Sequence, residues 1–304
     1  MPACGNNVIN MYGTYINCIN IAQPVCGPNV DNLGYAYSGC HKITEAVCGL
    51  NVTNMYGTYT NCYNIKNAVC GPLVTNMVNA YIYCSNLLTA ACGESVINMR
   101  NAYMNCKNLK TPICSDSVED FTGTYANCIN LTGSPVCGEN VIYMGGLYRQ
   151  NSNSPWQYYG TYANCSNLTG APVCSNSVTS LAAAYYNCKS LVGPPACGSS
   201  VTNMNNAYRS CPNIYGNAYF YSLAVSDVSY CFSGRNTSKR LNIYCKQDST
   251  TNTSVHKTNT NYSLVGSSIT WSFNNTGKYS YNSYYNIYIY PVQDVLAAKA
   301  NNKD

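Results

Sequence analysis

The stretch Val47–Cys62, VCGLNVTNMYGTYTNC, holds two cysteines fourteen residues apart. VCGPNVDNLGYAYSGC (Val25–Cys40) stands before it; VCSNSVTSLAAAYYNC (Val173–Cys188) and ACGSSVTNMNNAYRSC (Ala196–Cys211) stand after it. Cysteines fall at 4, 18, 26, 40, 48, 62, 70, 84, 92, 106, 114, 128, 137, 165, 174, 188, 197, 211, 231 and 245. Their gaps alternate 14 and 8 as far as Cys128, then 9 and 14 from Cys165 to Cys211, which sets a repeat of 22 and then 23 residues. A fixed period of that length is the signature of a solenoid.

Numbered from the first cysteine of each unit, further columns line up. Position +4 is always Val, from Val8 and Val30 to Val178 and Val201. Position +7 is Met, Leu or Phe (Met11, Leu33, Met55, Met77, Met99, Phe121, Met144, Leu181, Met204). Position +11 is Tyr: Tyr15, Tyr37, Tyr59, Tyr81, Tyr103, Tyr125, Tyr148, Tyr185 and Tyr208. The second cysteine forms its own column, Cys18, Cys40, Cys62, Cys84, Cys106, Cys128, Cys165, Cys188 and Cys211, followed three residues later by Ile or Leu. The spacing Val52–Met55–Tyr59–Cys62 reads as one stripe of a short helix. The β-branched or Ala residue before the first cysteine suits a strand of two or three residues, held short by Pro24, Pro112, Pro135, Pro172 and Pro195. No such unit buries its apolar face alone, and stacking in register makes a continuous core. The expected architecture is an α/β solenoid of nine coils over residues 1–215, each a short strand plus a short helix. Residues 216–304 are expected to form a degenerate last coil (VSYCFSG, LNIYC) and a β-rich cap containing SSITWSF and YNIYIYPV, with a frayed AAKANNKD tail. The long gap from Cys137 to Cys165 is an insertion near 145–158. It reads as the second half of a unit written twice, Tyr148 fitting the first pass and Tyr162 the second.

These columns resemble the BspA-like leucine-rich repeat family, whose unit runs roughly C-x-x-L-x-x-I-x-I-P-x-x-V-x-x-I-x-x-x-A-F-x-x-C. CSNLTGAPVCSNSVTSLAAAYYNC (Cys165–Cys188) follows it through Leu168, Val173, Leu181, Ala184, Tyr185 and Cys188, with Val178 one residue late. The recurring VTNM also looks like a class of bacterial surface repeats, and the Asn/Tyr-rich texture is similar to that of phage tail proteins. This chain departs from the family by Tyr in place of Phe, by Cys in place of Pro, and by small or polar residues at the third apolar place after the Leu. The resemblance implies a non-enzymatic binding surface on a bacterial cell or a virion.

Three explanations compete for the paired cysteines. Structural zinc wants four ligands built from closely spaced pairs; no two cysteines here are that close, and His41 and His256 are the only histidines. Longitudinal disulfides are compatible with stacked coils about 5 Å apart. A column of small apolar thiols filling the same hole in every coil is the simplest reading. No cysteine has an evident base, since His41 beside Cys40 is expected to face solvent; there are no paired carboxylates, and the Gly after the first cysteine (Gly27, Gly49, Gly71, Gly93) reads as a turn.

Charged residues are 9% of the chain and the net charge is +5, while Tyr (31) and Asn (44) are abundant. The one basic cluster, Arg235–Arg240 (RNTSKR), reads as a solvated loop, so no nucleic-acid partner is expected. No apolar run approaches the roughly 20 residues of a membrane span, and no signal peptide stands out. The expected function is an adhesive or receptor-binding surface on a bacterial cell or phage virion, with an intracellular interaction scaffold as the alternative. The expected partner is a cell-surface protein or glycan, with further copies or a longer parent chain covering the first coil; no cofactor or metal is expected. The contact residues are expected on the insertion, at Arg149, Trp156, Tyr158 and Tyr159. Location follows the reading: extracellular or virion, or cytoplasmic if the thiols are reduced.

Overall fold

The computed structural model describes residues 4–148, 157–221, 227–246, 280–282, 287–292 and 300. Successive coils stack in parallel register, with position +6 bridging coil to coil: Asn10 to Asn32, Asn54, Asn76, Asn98, Asp120, Tyr143, Ser180, Asn203 and on to Asp227. The core is a set of straight columns. Val52, Met55, Tyr59, Cys62 and Ile65 are fully buried, as are their counterparts in the coils on either side.

The expected short helix is absent from the described coils. The segment from Met55 to Cys62 is instead a chain of overlapping turns. The N–H groups of Thr58, Thr60 and Cys62 bond the carbonyls of Met55, Gly57 and Tyr59, three residues back. The alternate N–H groups, of Met55, Gly57, Tyr59 and Asn61, bond carbonyls of the next coil at Asn76, Val78, Ala80 and Ile82. Two positions per coil, +9 and +13, take left-handed backbone, as at Gly57 (φ 61°) and Asn61 (φ 61°), Asn101 (54°) and Asn105 (63°). A helix needs right-handed torsions throughout, so these two reversals forbid it. They are also why Asn and Gly dominate there, because other L-residues pay sterically for that region.

The remaining N–H of the turn, at +8, is bonded by the side chain at +6. Asn54 Oδ1 accepts from Tyr56 (3.0 Å), Asn76 Oδ1 from Val78 (3.0 Å) and Asp120 Oδ1 from Thr122 (3.0 Å). In the Met55–Cys62 coil every amide of the turn chain is thereby satisfied, as burial demands. Tyr143 interrupts this row, and it lies in the coil that carries the insertion.

The insertion replaces only positions +8 and +9 of its coil. The chain leaves after Met144, forms the hairpin β1 (Leu147–Tyr148) and β2 (Gln157–Tyr158), and returns at Thr161, whose N–H bonds Met144 O at 2.7 Å. Tyr162, not Tyr148, occupies the tyrosine column, stacked 5.7 Å from Tyr125 and 5.5 Å from Tyr185. The reading of a half-unit written twice is therefore corrected: one turn has been opened into a hairpin. Gly145 and Gly160 permit it, since a Cβ at either would lie 2.0 Å from Ala182 O or 1.8 Å from Ala183 O.

At the C-terminal end a tenth turn begins at Asp227, and Phe232 continues the tyrosine column 5.8 Å from Tyr208. Beyond it, β3 (Gly216–Phe220), β4 (Leu241–Lys246), β5 (Ser280–Asn282) and β6 (Ile287–Val292) form a sheet ordered β3-β4-β6-β5. Pairing is parallel from β3 to β4 to β6, and β5 runs antiparallel to β6. Within LNIYC and YNIYIYPV, strands therefore form; SSITWSF lies outside the described residues, as does the tail apart from residue 300. Arg235, read from sequence as part of a solvated loop, is buried at the place of the second cysteine in the tenth turn, where its guanidinium donates to Ile214 O (3.3 Å) and to Lys239 O.

The left-handed positions give a direct check. Asn105→Gly should leave the melting temperature nearly unchanged, while Asn105→Ala should destabilise by about 1–2 kcal/mol, measured by thermal unfolding; equal effects would contradict the torsional account.

Candidate functional site

Behind any binding surface stand two ladders. The first is tyrosine. Rings from Tyr15 through Tyr37, Tyr59, Tyr81, Tyr103, Tyr125, Tyr162, Tyr185 and Tyr208 stack with centroids 5.4–5.7 Å apart and planes within 19°, the offset arrangement aromatic quadrupoles favour. From Tyr37 onward each hydroxyl serves one residue of its own coil twice. Tyr59 OH donates to Val47 O (2.7 Å) and accepts from Val47 N–H (2.9 Å); Tyr81 does the same to Val69 and Tyr185 to Val173. The segment before the first cysteine was expected to be a short strand. In most coils it is not one, and the tyrosine hydroxyl supplies the pairing that a ladder would have given.

The second ladder is cysteine. Cys62 Sγ donates to Tyr37 O (3.0 Å), Cys84 to Tyr59 O (3.1 Å) and Cys128 to Tyr103 O (3.1 Å), and the pattern runs from Cys40 to Cys211. Cys18 and Tyr15, in the first coil, are half-buried. The nineteen cysteines from Cys4 to Cys231 are free thiols. Burial pushes Cys62 up to about 12 and Cys84 and Cys106 well above the ordinary range. Such thiols hold their protons and are poor nucleophiles at neutral pH. The first-column cysteines are mostly half-buried. The Gly after them marks close approach rather than a turn requirement: a Cβ on Gly71 would lie 2.7 Å from Gly49 O and 3.0 Å from Cys48 Sγ. Cys231 belongs to neither column and sits buried in the tenth turn.

Of the residues expected to make contacts, Arg149 and Trp156 lie outside the described residues. Tyr158 is placed by β2, opposite Leu147. Tyr159 is half-buried and packs on a small cluster of Met104, Ala126 and Ala163, which anchors the base of the hairpin on the stack. His41, expected to face solvent, stacks on Tyr63 (4.4 Å, 15°), with Nδ1 3.1 Å from Asn61 O. Among the described residues no group of three His, Cys, Asp or Glu side chains is placed to hold a metal ion, and no helix is long and apolar enough to cross a membrane.

Two surfaces were not singled out by sequence. One is the edge formed by positions +15 to +18. It exposes Ile19, Tyr63, Leu88 and Ile129 beside Lys42, Lys66, Lys107, Lys110 and Lys189. An amide row runs along it: Asn86 donates to Asn64, Asn108 to Asn86 and Asn130 to Asn108, at 3.3–3.4 Å. The array's acids gather instead at +2 to +6, as Asp31, Glu94, Asp116, Glu119, Asp120 and Glu139, with Glu45 the exception. Sorting the charges into columns by coil position would have found this. The other surface is a groove of about 320 Å³ between the last coils and β3, walled by Pro172, Pro194 and Pro195 on one side and by Asn217, Tyr219 and Tyr221 on the other. Asn217, Tyr219 and Tyr221 are distant in sequence from Pro172, Cys174 and Asn176, which also line it, so no local motif marks it.

No family model matches the sequence, and no curated protein matches it. Among solved structures, a leucine-rich repeat protein from Bacteroides ovatus is similar, with TM-score 0.58 and 15% identity over 79% of this chain and 59% of its own. The chain thus spans less than two thirds of that protein. At this identity the likeness concerns the fold alone, and that fold is a repeat solenoid of leucine-rich-repeat type.

The buried thiols set a pH dependence. An unfolded thiol ionises near 8.5, whereas Cys62 in the fold keeps its proton to about 12. Between those values the folded chain binds more protons, so stability falls as pH rises above about 8.5 and the contribution is gone near 12. Thermal melts at pH 7.5 and 10.5 should show a lower midpoint at the higher pH. Iodoacetamide at pH 7.5 should modify Cys62, Cys84, Cys106, Cys128 and Cys165 only after denaturation; ready labelling of the native protein would show the column to be open.

Proposed function

We propose that the chain is a non-enzymatic repeat protein of BspA-like kind, whose +15 to +18 edge is an adhesive or receptor-binding surface on a bacterial cell or phage virion. The observation that carries this reading is the sorting of charge by edge, the array's lysines at +15 to +18 and its acids, Glu45 apart, at +2 to +6. Exposed apolar groups such as Ile19, Tyr63 and Ile129 adjoin lysines and an amide row, and the acids lie elsewhere. Exposed apolar side chains gathered beside polar ones are how interaction sites differ from scattered surface residues. Their rigid, coil-by-coil spacing presents repeated contacts at fixed intervals, which multiplies weak individual interactions. A weakly acidic or neutral cell-surface protein or glycan fits such an edge. The hairpin around β1 and β2 is a second contact element, projecting from the coil that carries Met144. The free thiols support the alternative, an intracellular interaction scaffold, because a thiol column requires no oxidising compartment.

The test is adherence. Fluorescent wild-type chain should bind whole bacterial cells from a panel, and a variant carrying Tyr63→Ser, Lys107→Glu and Ile129→Ser should bind at least about tenfold less, the fall expected if the edge supplies 1.4 kcal/mol or more. Deleting residues 149–158 should weaken binding separately. Undiminished adherence of the triple variant would refute the edge, and binding confined to cytosolic partners would favour the scaffold.

A further inference from the structure

We propose that the groove between β3 and the last coils is a binding site for a neutral saccharide. This goes beyond the adhesive-edge reading and does not depend on it, because the groove lies on different residues and is assayed in solution.

The argument starts with β3. Side chains alternate across a strand, so Ala218 and Phe220 enter the core while Asn217 and Tyr219 face outward, with Tyr221 following them into the groove. Tyr219 does not stand alone. In-register pairing sets it against Tyr244 of β4, and the rings stack at 5.0 Å and 15°. A ring held flat on another ring has little freedom left to lose when a ligand packs on it. Asn217 is fixed in the same way: its Oδ1 accepts from the Asn242 amide at 2.7 Å, which leaves its own amide nitrogen as the group it offers.

The opposite wall narrows the choice of ligand. Among the described residues no lining side chain carries a charge, so none of them compensates an anion or a cation stripped of water. Pro194 and Pro195 have no N–H, so that wall cannot donate to an added peptide strand. What remains is a rigid aromatic face, amide groups and two tyrosine hydroxyls in an uncharged cleft. A pyranose matches these features. Its C–H face packs on an aromatic ring, and its rim of hydroxyls both donates and accepts. About 320 Å³ stands at the small end of ligand sites, roughly 300–1,000 Å³, and suits one sugar ring or a disaccharide.

The test uses the full chain and saturation-transfer NMR with millimolar glucose, galactose, mannose, N-acetylglucosamine and their β-linked disaccharides. At least one should receive saturation, and Tyr219→Ala should lower its affinity at least about tenfold. Tyr221→Ser, just outside the strand, should weaken binding while leaving the circular dichroism and melting curve as in wild type, which separates loss of the site from loss of fold. The edge variant at Tyr63, Lys107 and Ile129 should bind sugar normally. The proposal is overturned if no neutral sugar binds, if Tyr221→Ser binds as wild type, or if a proline-rich peptide or a sulfated sugar occupies the groove in preference.

Discussion

The tyrosine hydroxyl at position +11 is the constraint on which the coil depends. From Val25 onward the backbone just before each first cysteine is half-buried and, in most coils, has no neighbouring strand. An unpaired N–H or C=O costs up to about 1–3 kcal/mol where burial is complete, and part of that here. One hydroxyl meets both, as Tyr59 does for Val47. The tenth turn shows the converse. There the column residue is Phe232, and the segment twelve residues earlier, at Phe220, belongs to β3 and pairs with Cys245 of β4. Where a strand supplies the partners, the hydroxyl is dispensable.

Fixing that brace fixes the rest of the section. With the ring column set at 5.4–5.7 Å, the turn chain beside it bonds alternately within a coil and to the next one. The carbonyl of each tyrosine then receives a thiol from the following coil as well as an amide from its own, as Tyr59 O receives Cys84 Sγ and Cys62 N–H. The cysteine column is therefore a set of weak donors shaped to a repeating hole. Arg235 ends that column by placing a longer donor on Ile214 O. The regular interior leaves +15 to +18 and the outward face of β3 free to vary.

Much of this was legible in the sequence. Period, inward columns and the stacked thiols follow from the cysteine ruler, and the core contains Val52, Met55, Tyr59 and Cys62 as that ruler implies. The helix was misread for a physical reason. A spacing of 3, 4 and 3 marks one face of a helix, but overlapping four-residue turns produce the same spacing, and only the torsions distinguish them. The distinguishing signal was present as Asn or Gly at +9 and +13, seen in Gly57, Asn61, Asn101 and Asn105. Tyr148 was placed in the ladder because its count fits; Gly145 and Gly160, which admit the hairpin, depend on a backbone approach at Ala182 and Ala183 that no local pattern encodes. The groove was invisible because Pro194 and Tyr219 meet only after β3 pairs with β4.

Hydrogen exchange of the Val69 amide in wild type and in Tyr81→Phe tests the central claim most directly. Val69 N–H is bonded to the Tyr81 hydroxyl at 3.0 Å, and the substitution removes that oxygen while leaving the ring. The account predicts strong protection of Val69 in the wild-type chain, lost in the variant, with the ladder amide of Tyr81 still protected by Ala102 O. Fast exchange at Val69 in the wild type, or protection unchanged in the variant, would contradict it.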